Sequence, residues 1–488
     1  MAFSFDQLRQ TGLVRTDNLI DGQWVDGTDG ARFAVTDPAT GSLIANVPDS
    51  GAADARAATD AAARAFPSWR DTLPAERAAI LRRWHAAIVA NADALGRLIS
   101  LEQGKPFAEG RGEVMYGASY VAWFADEATR IYGDLIPQQQ RGKRMSAVKE
   151  PVGIVAAITP WNFPLAMLTR KLGPALAAGC TGLIKPASNT PLSAFALLQL
   201  AQDAGVPDGV INGVAGDTGA ISDVIMTSNA VRKVSFTGST EIGKTLVRNS
   251  ADTMKKVSME LGGNVPYIVF DDADIEAAVK GAITCKFRNT GQVCVCINRI
   301  YVQEGVYEAF TSRLVEEVRK LKVGNGMDEG VIVGPLIDIK GLEKVEEHVK
   351  DALEKGGRLM EGGQRHKLGG NFFQPTVIID ATDDMKVAHE ETFGPLAACF
   401  RFKTEEEVIK RANDTPFGLA AYFYSQNLQR IFRVADAIES GMIGINECAI
   451  SNEAAPFGGV KESGLGREGS VLGLEEYLQV KTLHLGNL

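Results

Sequence analysis

The pattern of apolar and polar residues changes along the chain near residue 150. Before that point, residues 18–48 show short alternating runs between turn residues, which are typical of β-strands. After it, short apolar runs alternate with helical stretches from Val152 to Asn249. This alternation predicts a parallel, doubly wound sheet whose ligand binds at the carboxyl ends of the strands. Helical periodicity before residue 150 predicts amphipathic helices at 54–66, 74–103 and 118–132.

A second α/β series begins near Asn264 and continues to about Gly459. Two further stretches fit neither series. Residues 133–150 are polar, β-like and poorly able to bury themselves, so we expect an oligomerisation arm there, with a plain surface hairpin as the alternative. Residues 475–485 alternate like an edge strand, and we expect this tail to pair with the arm of another subunit.

Composition limits the classes of partner. At 488 residues the chain is too long for one simple core, and its net charge of −9 is spread without a basic block. Nucleic acid and anionic membrane surfaces are therefore poor partners. No apolar run approaches the roughly 20 residues of a spanning helix, and the first residues lack the apolar core of a signal peptide.

The six cysteines show neither metal-site spacing nor a disulfide framework. We therefore expect free thiols, a cytoplasmic location and no bound metal. Cys294 stands apart from the others, because Thr290 and Gly291 end an apolar-periodic helix at 277–287 and a strand follows at 300–302. A thiol on such a turn can present its sulfur and its own backbone N–H to a carbonyl group. The alternative is a small buried hydrophobic residue.

Two other turns carry polar side chains suited to the same chemistry. Glu260, in the string MELGGN, ends a strand before a glycine turn and is a candidate general base for water, or else a solvated or capping residue. Asn162, in PWNFP, is a candidate donor to an oxyanion, or else a helix N-cap.

Two further turns suit a dinucleotide. Gly238 and Ser239, in FTGST, lie between a strand and a helix, where free N–H groups favour a pyrophosphate. Lys185 and Ser188, in KPAS, end the preceding strand without a carboxylate, which favours the 2′-phosphate of NADP over NAD. The alternatives are an ordinary glycine turn and a solvated lysine.

Together these strings resemble the aldehyde dehydrogenase superfamily. The motifs, in the family's order and spacing, are PWNFP, KPAS, FTGST, MELGGN, GQVCVC, EETFGP and PFGGVKESGLGREG, and within the family LTRKLGPALAAGCT, KFRNTGQVCVCINR and ISNEAAPFGG are most similar to succinate-semialdehyde dehydrogenases. The resemblance implies a Rossmann-like cofactor domain (1–127 and 151–262), an α/β catalytic domain (263–462) and a β oligomerisation arm (128–150 and 463–488). It also implies a homo-oligomer, either a dimer or a tetramer.

The resemblance assigns roles to individual residues. It makes Cys294 the nucleophile and Glu260 the base for the deacylating water, with the oxyanion held by Asn162 and the Cys294 N–H. The cofactor, NADP or NAD, is then expected to contact Trp161, Lys185, Ser188, Gly238, Ser239, Glu391 and Phe393. Lys171 is expected near the site without a firm role.

The expected substrate is a short anionic aldehyde. By resemblance, Arg170 and Arg288, with Ser451, hold the far carboxylate of succinate semialdehyde, since the guanidinium fork binds carboxylate in bidentate fashion; surface ion pairing is the alternative. Cys448 departs from the glycine usual in the resembled subfamily. A thiol that reshapes the pocket wall would favour glutarate semialdehyde or sulfolactaldehyde; one pointing away would not.

Three further hypotheses remain open at this stage. Cys296 is a candidate partner for a reversible disulfide with Cys294, the alternative being an inert neighbour. A CoA-acylating aldehyde dehydrogenase is disfavoured by Glu260, because such an enzyme needs no base for water. A non-enzymatic scaffold is disfavoured because it needs none of Cys294, Glu260 and Asn162.

Overall fold

Two sheets of mainly parallel strands carry the fold. The computed structural model of the protein describes residues 5–486. The first sheet has eight strands, of which five central ones are parallel and those at the edges antiparallel. In spatial order they are Gln23–Val25, Asn18–Ile20, Ile211–Gly213, Thr181–Lys185, Ile154–Ile158, Val231–Thr237, Lys256–Glu260 and Gly464–Leu465.

The strand order of this sheet reverses at Ile154–Ile158. The chain passes from this strand to Thr181–Lys185 on one side and later to Val231–Thr237 on the other. Open α/β sheets bind ligands outside the carboxyl ends of the strands at such a switch point. The segments that leave the two switch strands begin with 159–162 and with 238–239, so two of the predicted motifs share one edge of the sheet.

The second sheet has seven strands, and it is parallel except for its first pair. Its central strand, Ile297–Gln303, begins three residues after Cys294. The nucleophile turn therefore lies at the amino end of this sheet. In spatial order the strands are Arg358–Glu361, Thr376–Ala381, Leu396–Phe402, Ile297–Gln303, Val265–Val269, Ala420–Tyr424 and Met442–Ile445.

Helices cover both sheets, and three small sheets lie at the margins. The small sheets pair Arg32–Thr36 with Leu43–Pro48, Phe417–Gly418 with Val460–Lys461, and Asp134–Ile136 with Arg144–Pro151 and Leu478–Leu485. The α-helices are Phe5–Gln10, Ala52–Asp71, Pro74–Ala90, Ala92–Gln103, Phe107–Glu127, Ala166–Ala178, Pro191–Asp203, Thr218–Thr227, Thr240–Ser250, Ile275–Phe287, Tyr307–Val318, Ile339–Glu354, Lys386–His389, Glu405–Asn413, Leu428–Ala437 and Ser470–Glu475. Short 3-10 turns are Ala128–Arg130, Ala251–Thr253, Arg288–Gly291 and Glu304–Val306.

Helix starts near the switch point are capped by carboxylates and hydroxyls. Ser239 accepts from the Ile242 N–H at 3.4 Å, at the start of Thr240–Ser250. Glu113 reaches from another helix and accepts from the Leu165 and Ala166 N–H groups, at 2.9 and 3.2 Å. Such bonds satisfy backbone donors that have no partner within the helix.

The predicted α/β fold class is confirmed, with two differences in detail. The helix expected at 118–132 is Phe107–Glu127, which starts directly after Pro106. The tail strand Leu478–Leu485 pairs along its whole length with Arg144–Pro151 of the same chain, so the expected pairing with another subunit is wrong for this strand. Alternation identified the strand but carried no information about its partner.

Close packing of the Phe107–Glu127 helix predicts opposite effects at two of its glycines. A Cβ at Gly110 would lie 2.5 Å from the Gly96 carbonyl oxygen, whereas one at Gly112 has no heavy atom within 4 Å. Gly112→Ala gains helix propensity and is expected to raise the free energy of unfolding by up to about 1 kcal/mol. Gly110→Ala is expected to lower it by about 1–3 kcal/mol, because the neighbouring helix must shift.

Urea unfolding followed by tryptophan fluorescence measures both glycine variants against the unmodified chain. The two substitutions share one helix and one chemical change, so propensity cancels in the comparison. Equal stability of the two variants would contradict the close contact at Gly110.

Candidate active site

The turn that carries Cys294 is strained. Asn289, Thr290 and Gly291 have consecutive φ values of 50°, 58° and 76°, in the left-handed region. A β-branched residue such as Thr290 rarely adopts this conformation, which costs on the order of 1–3 kcal/mol. Glycine is required at 291, because a Cβ there would also lie 2.2 Å from the Gly394 carbonyl oxygen.

Three hydrogen bonds from distant segments hold this turn. The Asn289 backbone N–H donates to Glu109 Oε2 at 2.7 Å, and Asn289 Nδ2 donates to the Asn162 carbonyl at 3.0 Å. Thr290 Oγ1 donates to the Gly334 carbonyl at 3.1 Å. The strained backbone persists because partners on three other parts of the chain fix it.

Asn162 is tied to the same turn from the first sheet. Its Nδ2 donates to the Gln292 carbonyl at 3.0 Å, and its own carbonyl accepts from Lys105 Nζ at 2.7 Å. Lys105 is buried and ion-paired with Glu113 at 2.6 Å. An amide nitrogen carries two protons, so Asn162 keeps one N–H for a ligand in the cavity that it lines with Cys294.

Cys294 lies between two cavities. One has a volume of about 260 Å³ and lies over the switch point; the other, of about 300 Å³, lies on the opposite side of the turn. Cys294, Met167 and Phe457 line both. Among residues 5–486, no acceptor is recorded for the Cys294 backbone N–H. The sulfur and this donor are therefore available to a group that enters from either side.

Burial raises the pKa of the Cys294 thiol to about 12. The nearby carboxylates of Glu391 and Glu260 raise it further, while the guanidinium groups of Arg170 and Arg288 oppose them. The thiol is therefore protonated at neutral pH, and a neighbouring base must accept its proton when the sulfur attacks.

Glu260 is a candidate base that lines the 260 Å³ cavity from the first sheet. It ends the strand Lys256–Glu260, and its Oε2 is buried without a hydrogen-bond partner among the described residues. Burial raises the pKa of its carboxyl well above the usual range, and the charge of Glu468 adds to this effect. Arg170 and Lys171 lower it in part. A buried carboxylate of raised pKa is suited to accept a proton from thiol or water.

Glu468 is itself held by cations. Lys171 Nζ lies 2.6 Å from Glu468 Oε1 and donates to Thr237 Oγ1 at 2.8 Å. The family resemblance placed Lys171 near the site without a role, and the sequence did not indicate Glu468. The two residues form a buried ion pair, in which Glu468 raises the pKa of Glu260 and Lys171 lowers it.

The 260 Å³ cavity has the features of a dinucleotide site. Gly238 and Ser239 lie where the N-terminus of Thr240–Ser250 points into it, and a Cβ at Gly238 would lie 2.4 Å from the Phe236 ring. Trp161 and Phe393 meet edge to face at 5.6 Å on its wall. A helix N-terminus beside two aromatic rings suits a pyrophosphate and a planar ring, so these residues fit a nicotinamide dinucleotide.

Glu391 borders the same cavity. Burial raises the pKa of its carboxyl to about 7, and the Gly263 N–H, which donates to it at 3.4 Å, opposes this. Phe393, two residues later, has a φ of 54°, which is unusual for a bulky side chain. The loop is therefore shaped to place these two side chains against the cavity.

Lys185 and Ser188 lie together, with Nζ and Oγ 3.5 Å apart. Burial lowers the pKa of Lys185 to about 8, and the carboxylates of Asp217 and Asp49 oppose the shift. A phosphate placed against this lysine would favour its charged form. Lys185 supplies a cation for such a group, and Asp217 and Asp49 are acids nearby. The sequence did not indicate these two acids.

The 300 Å³ cavity brings together Arg170, Arg288 and Ser451, as expected for a site that holds an anion. Arg170 is 1% exposed, with its Nε 3.2 Å from Glu468 Oε2. Its Nη2 is buried without a hydrogen-bond partner among the described residues. A buried donor without an acceptor is costly, so this position favours an anionic ligand.

The last two predicted residues, Cys296 and Cys448, differ in their surroundings. Cys296 is buried, with its sulfur 3.6 Å from the carbonyl oxygens of Lys286 and Ile297, and it lines neither cavity described above. Cys448 lies on the wall of the 300 Å³ cavity, but its sulfur is directed toward Tyr424, 3.4 Å from the hydroxyl.

Sequence reasoning missed three charged residues that support the turn. Lys105, Glu109 and Glu113 contact Asn162, Asn289 and the start of Ala166–Ala178. Their spacing was a usable signal, because two acids four residues apart share one helix face. Within residues 5–486 no cluster of acidic, histidine and cysteine side chains is suited to a metal ion, and no helix is long and apolar enough to cross a membrane.

The raised pKa of Cys294 predicts slow alkylation that accelerates with pH. Only the thiolate reacts with iodoacetamide, so the rate at Cys294 is expected to rise about tenfold per pH unit from pH 7 to 9.5 without a plateau. The tryptic peptide 289–299 contains both Cys294 and Cys296, so fragment-ion mass spectrometry of this peptide measures the alkylation of Cys294 separately. A plateau below pH 8 would show a preformed thiolate and contradict the burial effect.

Comparison with known proteins agrees with this geometry. The model of the aldehyde dehydrogenase family matches residues 24–483. The chain is 57% identical to the NADP(+) succinate-semialdehyde dehydrogenase GabD of Escherichia coli (strain K12), over 98% of this chain and 100% of that one. It is 55% identical to a glutarate-semialdehyde dehydrogenase of Pseudomonas aeruginosa, over 99% of this chain and 100% of that one.

Solved structures agree with the fold. An E. coli protein described as an NADP dependent enzyme superposes with a TM-score of 0.97 at 57% identity, covering 98% of this chain and 99% of its own. The resemblance predicted from the motifs is confirmed. The chain belongs to the aldehyde dehydrogenase family.

Proposed function

We propose that this aldehyde dehydrogenase oxidises succinate semialdehyde to succinate, with NADP+ as the preferred hydride acceptor and NAD+ as the second. The observation that carries the proposal is the position of Cys294 between a dinucleotide-type cavity and a cavity with two arginines. A carboxylate held by the arginines leaves the other end of a four-carbon chain toward the thiol. The names of the NADP(+) relative and the E. coli structure support the cofactor.

Acylation begins with proton transfer from Cys294. Glu260 accepts the proton as the sulfur attacks the aldehyde carbon and a C–S bond forms. The negative charge that develops on the aldehyde oxygen is stabilised by the free N–H of Asn162 Nδ2 and the backbone N–H of Cys294. The residues of the 260 Å³ cavity, which Cys294 also lines, would hold a nicotinamide beside this adduct, and that group would supply the hydride acceptor needed to convert the adduct into a thioester.

Hydrolysis uses the same carboxylate a second time. Once Glu260 has released to solvent the proton that it took from Cys294, the ionised carboxylate takes a proton from water as the water oxygen attacks the thioester carbon. The C–S bond breaks, the sulfur takes this proton from Glu260 and returns as a thiol, and the acid product loses its own proton to solvent to become a carboxylate. Its raised pKa makes Glu260 a stronger base than an exposed glutamate, while Lys171 and Arg170 keep its ionised form accessible.

The proposed mechanism assigns a different role to each part of the chain. We assign residues 1–127 and 151–262 to the cofactor-binding domain. The residues that would contact the cofactor are Trp161, Lys185, Ser188, Gly238 and Ser239 of this domain, together with Glu391 and Phe393 of 263–462. Residues 263–462 supply the nucleophile turn. The edge segments 128–150 and 463–488 form the oligomerisation arm of a homodimer or homotetramer, since Leu135 is 90% exposed and Val480 66%. Six free cysteines favour the cytoplasm.

The first prediction from this mechanism concerns Arg288. Arg288→Ala removes a guanidinium from the carboxylate site, so the KM for succinate semialdehyde is expected to rise tenfold or more, about 1.5 kcal/mol or above. The KM for uncharged butanal should change less than twofold. Absorbance of the reduced cofactor, with NADP+ or NAD+ and with or without CoA, measures both.

Two controls sharpen the Arg288 experiment. Arg64→Ala removes a surface arginine that is paired with Asp21, and it should change neither KM. Cys294→Ser should abolish turnover of both aldehydes. Equal effects of Arg288→Ala on both aldehydes would overturn the carboxylate site. If the enzyme prefers glutarate semialdehyde or sulfolactaldehyde, that aldehyde replaces succinate semialdehyde as the proposed substrate. If turnover requires CoA, transfer of the acyl group to CoA replaces hydrolysis as the second half-reaction.

The second prediction concerns Glu468. Glu468→Gln removes the like charge that raises the pKa of Glu260 and leaves Lys171 and Arg170 unopposed. The pKa of Glu260 is expected to fall, so the acidic limb of the kcat–pH profile moves to lower pH. Glu462→Gln, at a surface pair with Lys244, is the matched control and should leave the limb in place. A limb that moves upward would contradict the coupling.

A further inference from the structure

A cluster of two thiols and two tyrosines lies behind the wall of the 300 Å³ cavity. We call Tyr267, Cys285, Tyr424 and Cys448 the thiol–tyrosine cluster. The Cys448 sulfur lies 3.4 Å from the Tyr424 hydroxyl and packs on Gly281, where a Cβ would lie 2.9 Å from it. The close packing fixes the direction of this sulfur toward the helix.

Cys285 lies one helical turn after Gly281 and faces the same sulfur. Cys285 Sγ lies 3.9 Å from the Cys448 carbonyl oxygen, so the two cysteine residues are in contact. The two residues are 163 positions apart in sequence. Cys285 belongs to the helix Ile275–Phe287, while Cys448 belongs to the irregular segment after the strand Met442–Ile445.

We propose that Cys285 and Cys448 form a site of reversible oxidation, at which a hydroperoxide converts the thiol pair into a disulfide that reshapes the substrate cavity. None of the steps assigned to catalysis uses either thiol. The inference about the cavity rests on the proposed function; the formation of the bond does not.

Cys448 is the thiol that reacts first. It lines the cavity and is partly exposed, so a small peroxide reaches it. The neighbouring Cys285 thiol and the Tyr424 hydroxyl lower the pKa of the Cys448 thiol, whereas the neighbouring Cys448 thiol and burial raise the pKa of the Cys285 thiol. The more acidic thiol is the better nucleophile at neutral pH, and the second is placed to resolve the product.

The electrons and atoms balance over two steps. The Cys448 thiolate attacks one peroxide oxygen, so an S–O bond forms, the O–O bond breaks, and the leaving oxygen takes a proton to become water. The Cys285 sulfur then attacks the sulfenic sulfur; an S–S bond forms, the S–O bond breaks, and a second water leaves. Two thiols lose two electrons, and one hydrogen peroxide becomes two waters.

The disulfide alters the anion-binding wall. Bonded sulfurs lie about 2.05 Å apart, much closer than two sulfurs that are not bonded to each other, so the segment at Cys448 must move toward the helix. Ala449, Ile450 and Ser451 follow directly and line the cavity, and Arg288 lies three residues after Cys285. Oxidation therefore acts on the carboxylate end of the substrate.

The bond is tested in the Cys294→Ser protein, which cannot form a Cys294–Cys296 disulfide. Hydrogen peroxide is added in small molar excess, free thiols are alkylated, and trypsin separates the cysteines into different peptides. We expect a cross-linked species joining 281–286 to 434–461, lost on addition of dithiothreitol. Irreversible oxidation of Cys448 without this species, or no oxidation of Cys448, would overturn the proposal.

The effect on the cavity is tested by the KM of the molecules that still turn over after peroxide treatment. In the unmodified chain we expect the KM for succinate semialdehyde to rise at least threefold, with the KM for butanal unchanged, and to return with dithiothreitol. Cys285→Ala should show no rise. An unchanged KM despite the cross-link would overturn the effect on the cavity. A cross-link in a chain that oxidises neither aldehyde before treatment would instead refute the proposed function.

Discussion

The left-handed turn at Asn289–Gly291 is the constraint on which the site depends. Three consecutive residues in this region are unfavourable, and Thr290 most of all. The conformation is held by Glu109, Asn162 and Gly334, which belong to segments far apart in sequence. The nucleophile therefore reaches its position only when both sheets have docked, and the free energy of that docking offsets the strain in the turn.

The same constraint explains the buried charges around the turn. Lys105 is fully buried and donates both to Glu113 and to the Asn162 carbonyl. Glu113 in turn caps the helix that follows Asn162. Removing one member of such a pair leaves an uncompensated charge, so the pair ties the oxyanion donor to the helix that supports it. A hydrophobic pair would fill the same space but could not hold a carbonyl and two N–H groups in register.

The sequence indicated the elements of the site better than their supports. Val152–Ile158 is a short apolar run and 233–236 alternates polar and apolar residues, each before turn residues, so both switch strands were predictable. Thr290–Gly291 marked the turn before Cys294. The left-handed conformation at Asn289 and Thr290 was not predictable, because it is imposed by distant partners. The Phe107–Glu127 helix was placed too late, since its glycines weaken helix propensity; Gly110 and Gly117 are small because neighbouring segments approach there.

The charges around Cys294 determine when it reacts. Glu260 and Glu391 oppose the formation of a thiolate, while Arg170 and Arg288 favour it. The raised pKa of Cys294 shows that burial and the two carboxylates outweigh the two arginines. The thiol therefore stays neutral and poorly reactive while no substrate is bound. A substrate carboxylate neutralises the arginines and would make a preformed thiolate still less stable. Attack by the sulfur must therefore be concerted with proton transfer to Glu260. The protonation state of this carboxylate, rather than the acidity of the thiol, then determines when Cys294 reacts.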